Sequence, residues 1–171
     1  TSGNGIGWST PESGAGIYFH EANDVMSGGK NVSCFTCISI GDQHGVVVRD
    51  SIDLQLLSVQ IDDPVNGPAL DIDNSGLSRD GLVILDDLVA NLNRTGFGIE
   101  LEDVNAEIQS LNLSGTNQGV YWRGGDSITS HLKSSKISGQ GGACFDVIDH
   151  IELIVNDLVM NCSSGSKPSI E

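Results

Sequence analysis

A degenerate repeat with a period of about two dozen residues runs through this chain of 171 residues. Two short apolar runs recur in step along it. The first has the form Gly/Ala-apolar-x-apolar and occupies residues 16–19, 45–48, 69–72, 98–101, 119–122 and 143–147. The second occupies residues 34–38, 58–61, 87–92, 110–113, 135–138 and 157–160. Two runs that repeat in phase are typical of a stacked-repeat architecture.

Each repeat unit carries the period of a β-strand. In Leu70-Asp71-Ile72-Asp73 the apolar residues share one face and the acids share the other. A third apolar piece lies between the two runs, at Ile52/Leu54/Leu56, Leu82/Ile84, Val104/Ala106/Ile108, Ile128/Leu132 and Ile151/Leu153/Val155. Gly, Asn, Asp and Ser separate the pieces, which is turn chemistry. The pattern predicts an all-β fold, a single right-handed parallel β-helix of about six coils with three short strands per coil. The sequence pattern of a leucine-rich repeat does not recur in this chain, so that fold is rejected. An antiparallel sandwich remains an alternative.

Alternation assigns each residue of the first run to the inside or the outside of the cylinder. The residues expected inside, stacked in file, are Val46, Val48, Leu70, Ile72, Ile99, Leu101, Val120, Phe145 and Val147, with Trp122 also inward. The residues expected outside are Val47, Arg49, Asp71, Asp73, Glu100, Glu102, Tyr121, Arg123, Cys144 and Asp146. A charge at an inward position such as Ile99 is expected to be severely destabilising, because it has no partner there.

The outward positions suggest a linear polar stripe that could bind a polysaccharide. Carboxylates accept hydrogen bonds from sugar hydroxyls, arginine donates them, and an aromatic ring packs on the apolar face of a sugar. The candidate glycan-binding residues are Asp71, Asp73, Glu100, Glu102, Tyr121 and Arg123. Further candidate donors at outward or corner positions are Arg94, His131, Lys133 and Lys136.

Paired acids on neighbouring coils also allow a catalytic interpretation. Glycoside hydrolysis needs two carboxyl groups about 5–9.5 Å apart, and coils stacked at about 4.8 Å supply such distances on any acidic stripe. The same spacing therefore arises in a merely solvated face. The basic residues are too scattered to indicate a polysaccharide lyase, and no residue is assigned a catalytic role.

Composition limits the partners and ligands. The formal net charge is −15, with 23 acidic and 8 basic residues, so nucleic acid and anionic membranes are not expected as partners. No apolar run is long enough for membrane insertion. No cofactor and no metal site are expected, since the C-x-x-C of Cys34 and Cys37 has no second ligand pair.

The remaining features bear on processing and boundaries. Cys34, Cys37, Cys144 and Cys162 are expected to be buried free thiols, with a disulfide in the last coil as the alternative. Glycosylation sequons begin at residues 31, 93, 112 and 161. Residues 1–14 form an expected linker or first-coil lead-in, residues 15–162 the β-helix domain, and residues 163–171 a C-terminal tail. Because Thr1 opens a Gly/Ser-rich stretch, we expect the chain to be part of something longer.

Residues 15–162 resemble the pectin-lyase-like right-handed β-helix superfamily, and most of all the β-helix domains of phage tailspikes and tail receptor-binding proteins. The resemblance rests on the segments GVVVRDSIDLQLLSVQI, GIELEDVNAEIQSLNLSG and GVYWRGGDSITSHLKSSKISG. The polygalacturonase and pectate-lyase motif sets are absent, and Asp62-Asp63 and Asp86-Asp87 stand alone, so no catalytic residue carries over.

The resemblance implies a virion adhesin on the virion surface or otherwise extracellular. Such a protein is a homotrimer that is attached to other virion tail proteins and binds a host-cell surface polysaccharide. Two alternatives stay open: a secreted polysaccharide-degrading enzyme, either a glycoside hydrolase or a lyase, and a structural spacer of a fibre.

Overall fold

The computed structural model describes residues 14–20, 32–42, 44–51, 54–62, 64, 67–75, 82–92, 97–115, 118–124, 129–138, 144–149, 152–162 and 169–170. Every regular element among these residues is a β-strand, as expected for an all-β fold. In chain order the strands are β1 (Ala15–His20), β2 (Val32–Phe35), β3 (Ile38–Ile40), β4 (His44–Arg49), β5 (Leu54–Asp62), β6 (Leu70–Asp73), β7 (Leu82–Asn91), β8 (Phe97–Glu102), β9 (Asn105–Gln109), β10 (Asn112–Ser114), β11 (Gln118–Arg123), β12 (Ser130–Ser138), β13 (Phe145–Ile148), β14 (Leu153–Asn161) and β15 (Ser169–Ile170).

The strands build two parallel sheets along one cylinder. Sheet 1 has the order β1-β4-β6-β8-β11-β13-β15. Sheet 2 holds the eight other strands, namely β2, β3, β5, β7, β9, β10, β12 and β14. The chain passes from a strand of sheet 1 to sheet 2 and then back to the next strand of sheet 1. This order confirms the parallel stacking of coils and excludes the antiparallel sandwich.

Each layer of sheet 2 contains a bend. The bend separates β2 from β3 and β9 from β10, which gives the predicted three short strands in those two coils, whereas β5, β7, β12 and β14 continue through it. The bend occurs at a residue in the left-handed region, with φ between 47° and 58°, in every layer. The pairing register stacks these residues in one column: Thr36, Ser58, Asp87, Ser110, Ser134 and Asp157. A short polar side chain suits this backbone, because a branched apolar residue would be strained there.

The number of coils is smaller than the expected six. About four coils are stacked on both sides in both sheets, namely those that begin at β4, β6, β8 and β11. Among the described strands, β1, β2, β3, β14 and β15 pair on one side only and belong to end layers. The sequence pattern is the same in the end layers as in the middle, so it does not reveal which layers are covered by neighbours.

Glycine at the start of a sheet 1 strand allows the coils to stack closely. A Cβ atom on Gly45 would overlap the carbonyl oxygen of Ala69, and one on Gly119 would overlap that of Cys144. In both places the next residue donates its N–H to the same oxygen, from Val46 at 2.8 Å and from Val120 at 3.1 Å. The Gly-apolar motif therefore marks where one coil passes closest over the next.

The inner columns of sheet 1 are those that alternation predicts. All nine residues expected inside are buried, and they stack as Val46–Leu70–Ile99–Val120–Phe145 and Val48–Ile72–Leu101–Trp122–Val147. The Trp122 indole is fully buried, and its Nε1 donates a hydrogen bond of 2.8 Å to the carbonyl of Val104. That bond satisfies the only polar atom of the largest core side chain.

The register of β7 differs from the interpretation of its sequence. Val83 and Leu85 are buried, while Leu82 and Ile84 lie on the outer side and are half-buried. Four consecutive apolar residues carry no alternation, so either pair could face inward. The bend at Asp87, stacked on Ser58, aligns Leu85 with buried Leu56 and decides between them.

All four cysteines form disulfides, which corrects the expectation of free thiols. Cys34 and Cys37 flank the bend of their layer with Cα atoms 6.2 Å apart. Cys144, directly before β13, and Cys162, directly after β14, join two parts of one coil, with Cα atoms 5.9 Å apart. Cys144 is buried rather than outward, because it turns toward Cys162 before β13 begins.

The two ends of the cylinder carry the exposed apolar residues. On β14, the inward positions Val155 and Met160 are 38% and 37% exposed, whereas Leu132 and Ile137 directly beneath them are buried. Ser169–Ile170 lies within the expected tail and pairs with β13. Residues 1–13 of the expected lead-in lie outside the described residues. Within the part of the chain that the structure describes, no helix is long and apolar enough to cross a bilayer.

Candidate functional site

The outer face of sheet 1 brings all six predicted glycan-binding residues together. The parallel register stacks its outward side chains in two columns. The central column is Tyr18–Val47–Asp71–Glu100–Tyr121–Asp146, and the lateral column is Arg49–Asp73–Glu102–Arg123–Ile148. Neighbouring members of a column are about 4.8 Å apart along the strand stack. The face is therefore a continuous ladder of polar groups along the cylinder axis.

One end of the central column is closed by an ion pair. Arg49 Nη1 donates to Asp71 Oδ1 at 2.8 Å, and Nη2 donates to Oδ2 at 2.7 Å. The same Nη1 also contacts the carbonyl of Val48, so the guanidinium folds back over its own strand. Both side chains are more than four-fifths buried. Asp71 thus belongs to a bidentate pair and offers little surface to a ligand.

Val47 is outward but completely buried, which corrects the expectation of an exposed position. It lies in the column between Tyr18 and Asp71. A side chain that points outward is exposed to solvent only where the neighbouring outward side chains are short or point away from it. The central column is therefore packed at Val47 and Asp71 and becomes accessible from Glu100 onward.

Glu100 is partly buried among the charged groups of the face. Its partial burial is the largest cause that raises its pKa above the ordinary value for glutamate. The carboxylates of Asp71 and Glu102 raise the pKa further, and the guanidinium of Arg49 lowers it. A carboxyl group in such surroundings keeps its proton to higher pH than a solvated one, which suits a hydrogen-bond donor or a general acid.

The lateral column ends in a second cationic site. Arg123 Nε lies 3.6 Å from Asp103 Oδ1 and 3.4 Å from Asp149 Oδ2. Both aspartates occupy left-handed corner positions that follow strands of sheet 1, with φ of 52° and 56°. The Arg123 side chain is 45% exposed, so these contacts orient a guanidinium that still reaches solvent.

Tyr121 provides an aromatic surface in the middle of the accessible part. It is half-buried and stands between Glu100 and Asp146 in the central column. Tyr18 is a second ring at the far end of that column and is 42% exposed. The alternation in Gly16-Ile17-Tyr18-Phe19 could have placed Tyr18 outward. The contacts of Asp103 and Asp149 with Arg123 depend on the conformation of the corners, for which the strand pattern gives no signal.

The other expected donors do not join this face. His131, Lys133 and Lys136 lie on β12 and point outward from sheet 2, and Arg94 lies outside the described residues. Sheet 2 has its own short polar ladder, in which Asn91 donates to Asp62 at 2.8 Å and Ser114 donates to Asn91 at 3.0 Å.

A shallow depression of about 350 Å³ lies beside the bend of sheet 2. Its lining residues are Ser58, Val59, Gln60, Asp87 and Val89. The Ser58 hydroxyl donates to Asp87 Oδ2 at 3.1 Å across it. No group of three or more His, Cys, Asp and Glu side chains among the described residues is arranged to hold a metal ion.

Comparison with known proteins adds no relative. No protein-family model, no curated protein and no solved structure matches the chain. The function is therefore argued from the geometry and chemistry of the outer face.

Proposed function

We propose that this protein is an extracellular β-helix module that binds a polysaccharide along the outer face of sheet 1. The observation that supports the proposal is the ladder of Glu100, Glu102, Tyr121 and Arg123 on two adjacent strands, β8 and β11. Two acceptors on β8 lie beside an aromatic ring and a donor on β11, in the two parallel columns of the face. A linear polymer can contact such a face repeatedly, with hydroxyls on the carboxylates and the apolar side of a sugar on the ring.

The resemblance to phage tailspikes suggests the setting of this module. In that setting the chain is part of a homotrimeric virion adhesin, attached to other tail proteins, and its ligand is a surface polysaccharide of the host cell. Individual contacts on a shallow face are weak, and three copies side by side would supply the avidity that host attachment needs. The two disulfides favour a final location outside the reducing cytoplasm.

Alanine substitution on each sheet tests the location of the site. Tyr121→Ala combined with Arg123→Ala should abolish binding in a glycan-array or host-cell assay. The matched control is His131→Ala combined with Lys133→Ala, which removes a ring and a cation from the outer face of sheet 2 and should leave binding unchanged. Circular dichroism establishes that both double variants keep the fold. Equal binding by the wild type and the sheet 1 variant would refute this location.

Glycoside hydrolysis is the second candidate, and the raised pKa of Glu100 is the observation that favours it. A general acid must hold a proton at the working pH, and a second carboxylate must lie within about 5–9.5 Å. Glu102 and Asp73 are the nearest accessible carboxylates by register. Release of reducing sugar from a bound polysaccharide, lost in Glu100→Gln, would establish hydrolysis. Binding without release would leave the protein an adhesin.

A further inference from the structure

The outer face of sheet 1 has a strong excess of negative charge. Its two columns and the adjoining corners carry eight described carboxylates: Asp50, Asp71, Asp73, Glu100, Glu102, Asp103, Asp146 and Asp149. Against these eight stand the two described arginines Arg49 and Arg123. Charge is therefore unbalanced along the whole ladder, and the imbalance is greatest in the accessible part beyond the Arg49–Asp71 pair.

Both arginines are already bound to carboxylates of the protein. Arg49 makes two hydrogen bonds to Asp71 and is largely buried. Arg123 lies between Asp103 and Asp149, within 4 Å of each. An anionic ligand could meet a cation only at the exposed part of Arg123, which Asp103 and Asp149 flank. It would also face the remaining carboxylates at short range, which is unfavourable for like charges.

We infer that the polysaccharide bound by this face is an amine-bearing one, with protonated amino groups that lie over the carboxylates of Glu100, Glu102 and Asp73. This inference rests on the proposed function, because it specifies the ligand of the same site. An ammonium group has only donors and an ionised carboxylate has only acceptors, so the two match in hydrogen bonding as well as in charge. Polymers of uronic acids or sulfated sugars are excluded by the same argument.

The surroundings of Glu100 disfavour its ionised form. Partial burial is the largest cause that raises its pKa, the carboxylates of Asp71 and Glu102 raise it further, and Arg49 lowers it. A ligand ammonium would favour the ionised form of Glu100, so binding would release a proton from it. Affinity for an amine-bearing glycan is therefore expected to fall as the pH is lowered through the pKa of Glu100, and to fall with added salt.

Three oligosaccharides of equal length separate the ligand classes: a glucosamine hexamer, its N-acetylated form, and a galacturonate hexamer. Calorimetric titration should give the tightest binding for the glucosamine hexamer and none for galacturonate. Glu102→Gln should weaken binding of the glucosamine hexamer by about fivefold. The matched control Glu107→Gln removes an outward carboxylate that is also exposed, but on sheet 2, and should change nothing.

The outcomes distinguish the ligand class from the proposed function. If the acetylated or the acidic hexamer binds more tightly, and Tyr121→Ala abolishes that binding, the amine class is wrong while the binding face stands. If Glu102→Gln and Glu107→Gln weaken binding equally, general negative charge rather than this face selects the amine, and the inference fails. If none of the three hexamers and no glycan of a broad array binds, the proposed function itself is refuted.

Discussion

Shortening Ile99 should cost far more stability than any change to its outward neighbour Glu100. Ile99 is 1% exposed and lies in an inner column between Leu70 and Val120. Ile99→Ala removes three buried carbon atoms, worth about 0.8 kcal/mol each, and leaves a cavity that adjacent coils cannot close without shifting. We expect a loss of about 3 kcal/mol in the free energy of unfolding, which lowers Tm by about 6–12 °C in a chain of this size.

The companion variant Glu100→Gln should have the opposite sign at neutral pH. The folded-state pKa of Glu100 is raised above 4.5, its ordinary value. Protonation of Glu100 therefore stabilises the native state relative to the unfolded state. That contribution is complete below the unfolded-state pKa and is lost as the pH rises through the folded-state pKa. At neutral pH the ionised group therefore opposes folding. Glu100→Gln should raise stability there and flatten this part of the pH dependence.

Urea denaturation of both variants and of the wild type, followed by far-ultraviolet circular dichroism at acid and neutral pH, measures these differences. An unchanged m-value shows that the same surface is exposed in each case. A loss below about 1 kcal/mol for Ile99→Ala, or equal losses for the two variants, would refute the register, because a shift by one residue exchanges the inner and outer faces.

Three further changes test other parts of the structure. Arg49→Met should cost about 3–5 kcal/mol in urea denaturation, because it leaves the Asp71 carboxylate buried without its partner. Gly119→Ala should lower Tm more than Gly41→Ala. A Cβ atom at residue 119 would overlap the backbone of the next coil, whereas one at residue 41 has open space and costs only the left-handed backbone strain of about 1–2 kcal/mol. Cys162→Ser opens a disulfide loop with a sequence separation of 18 and should cost about 3 kcal/mol, seen as a lower Tm under oxidising conditions.

The inner columns of sheet 1 were predictable because alternation there is regular. Leu70-Asp71-Ile72-Asp73 has only one arrangement that buries its apolar side chains, and the repeat carries that arrangement from coil to coil. Where alternation stops, as at Leu82–Leu85, the sequence allows two registers, and the bend at Asp87 selects one. The bends themselves had a signal in the sequence, because a Ser, Thr or Asp lies within or directly before the second apolar run of every layer.

The details of the binding face were less predictable because they depend on contacts between coils. The sequence placed Asp71 outward, but its burial follows from a guanidinium that folds back from the preceding coil. The Cys144–Cys162 disulfide depends on how its coil closes, since the two cysteines are 18 positions apart along the chain. Whether a layer lies at an end of the cylinder also depends on its neighbours. The number of sequence repeats is therefore larger than the number of coils that are stacked on both sides.

The most direct test of the polysaccharide-binding proposal is to map a bound glycan on the protein by nuclear magnetic resonance. The backbone amides are assigned, and an oligosaccharide that binds in the calorimetric assay is titrated in. The proposal predicts chemical-shift changes concentrated on β6, β8 and β11, centred on Glu100 and Tyr121, and saturating with the calorimetric affinity. Changes confined to sheet 2, around the depression at Ser58 and Asp87 or around His131 and Lys133, would contradict it.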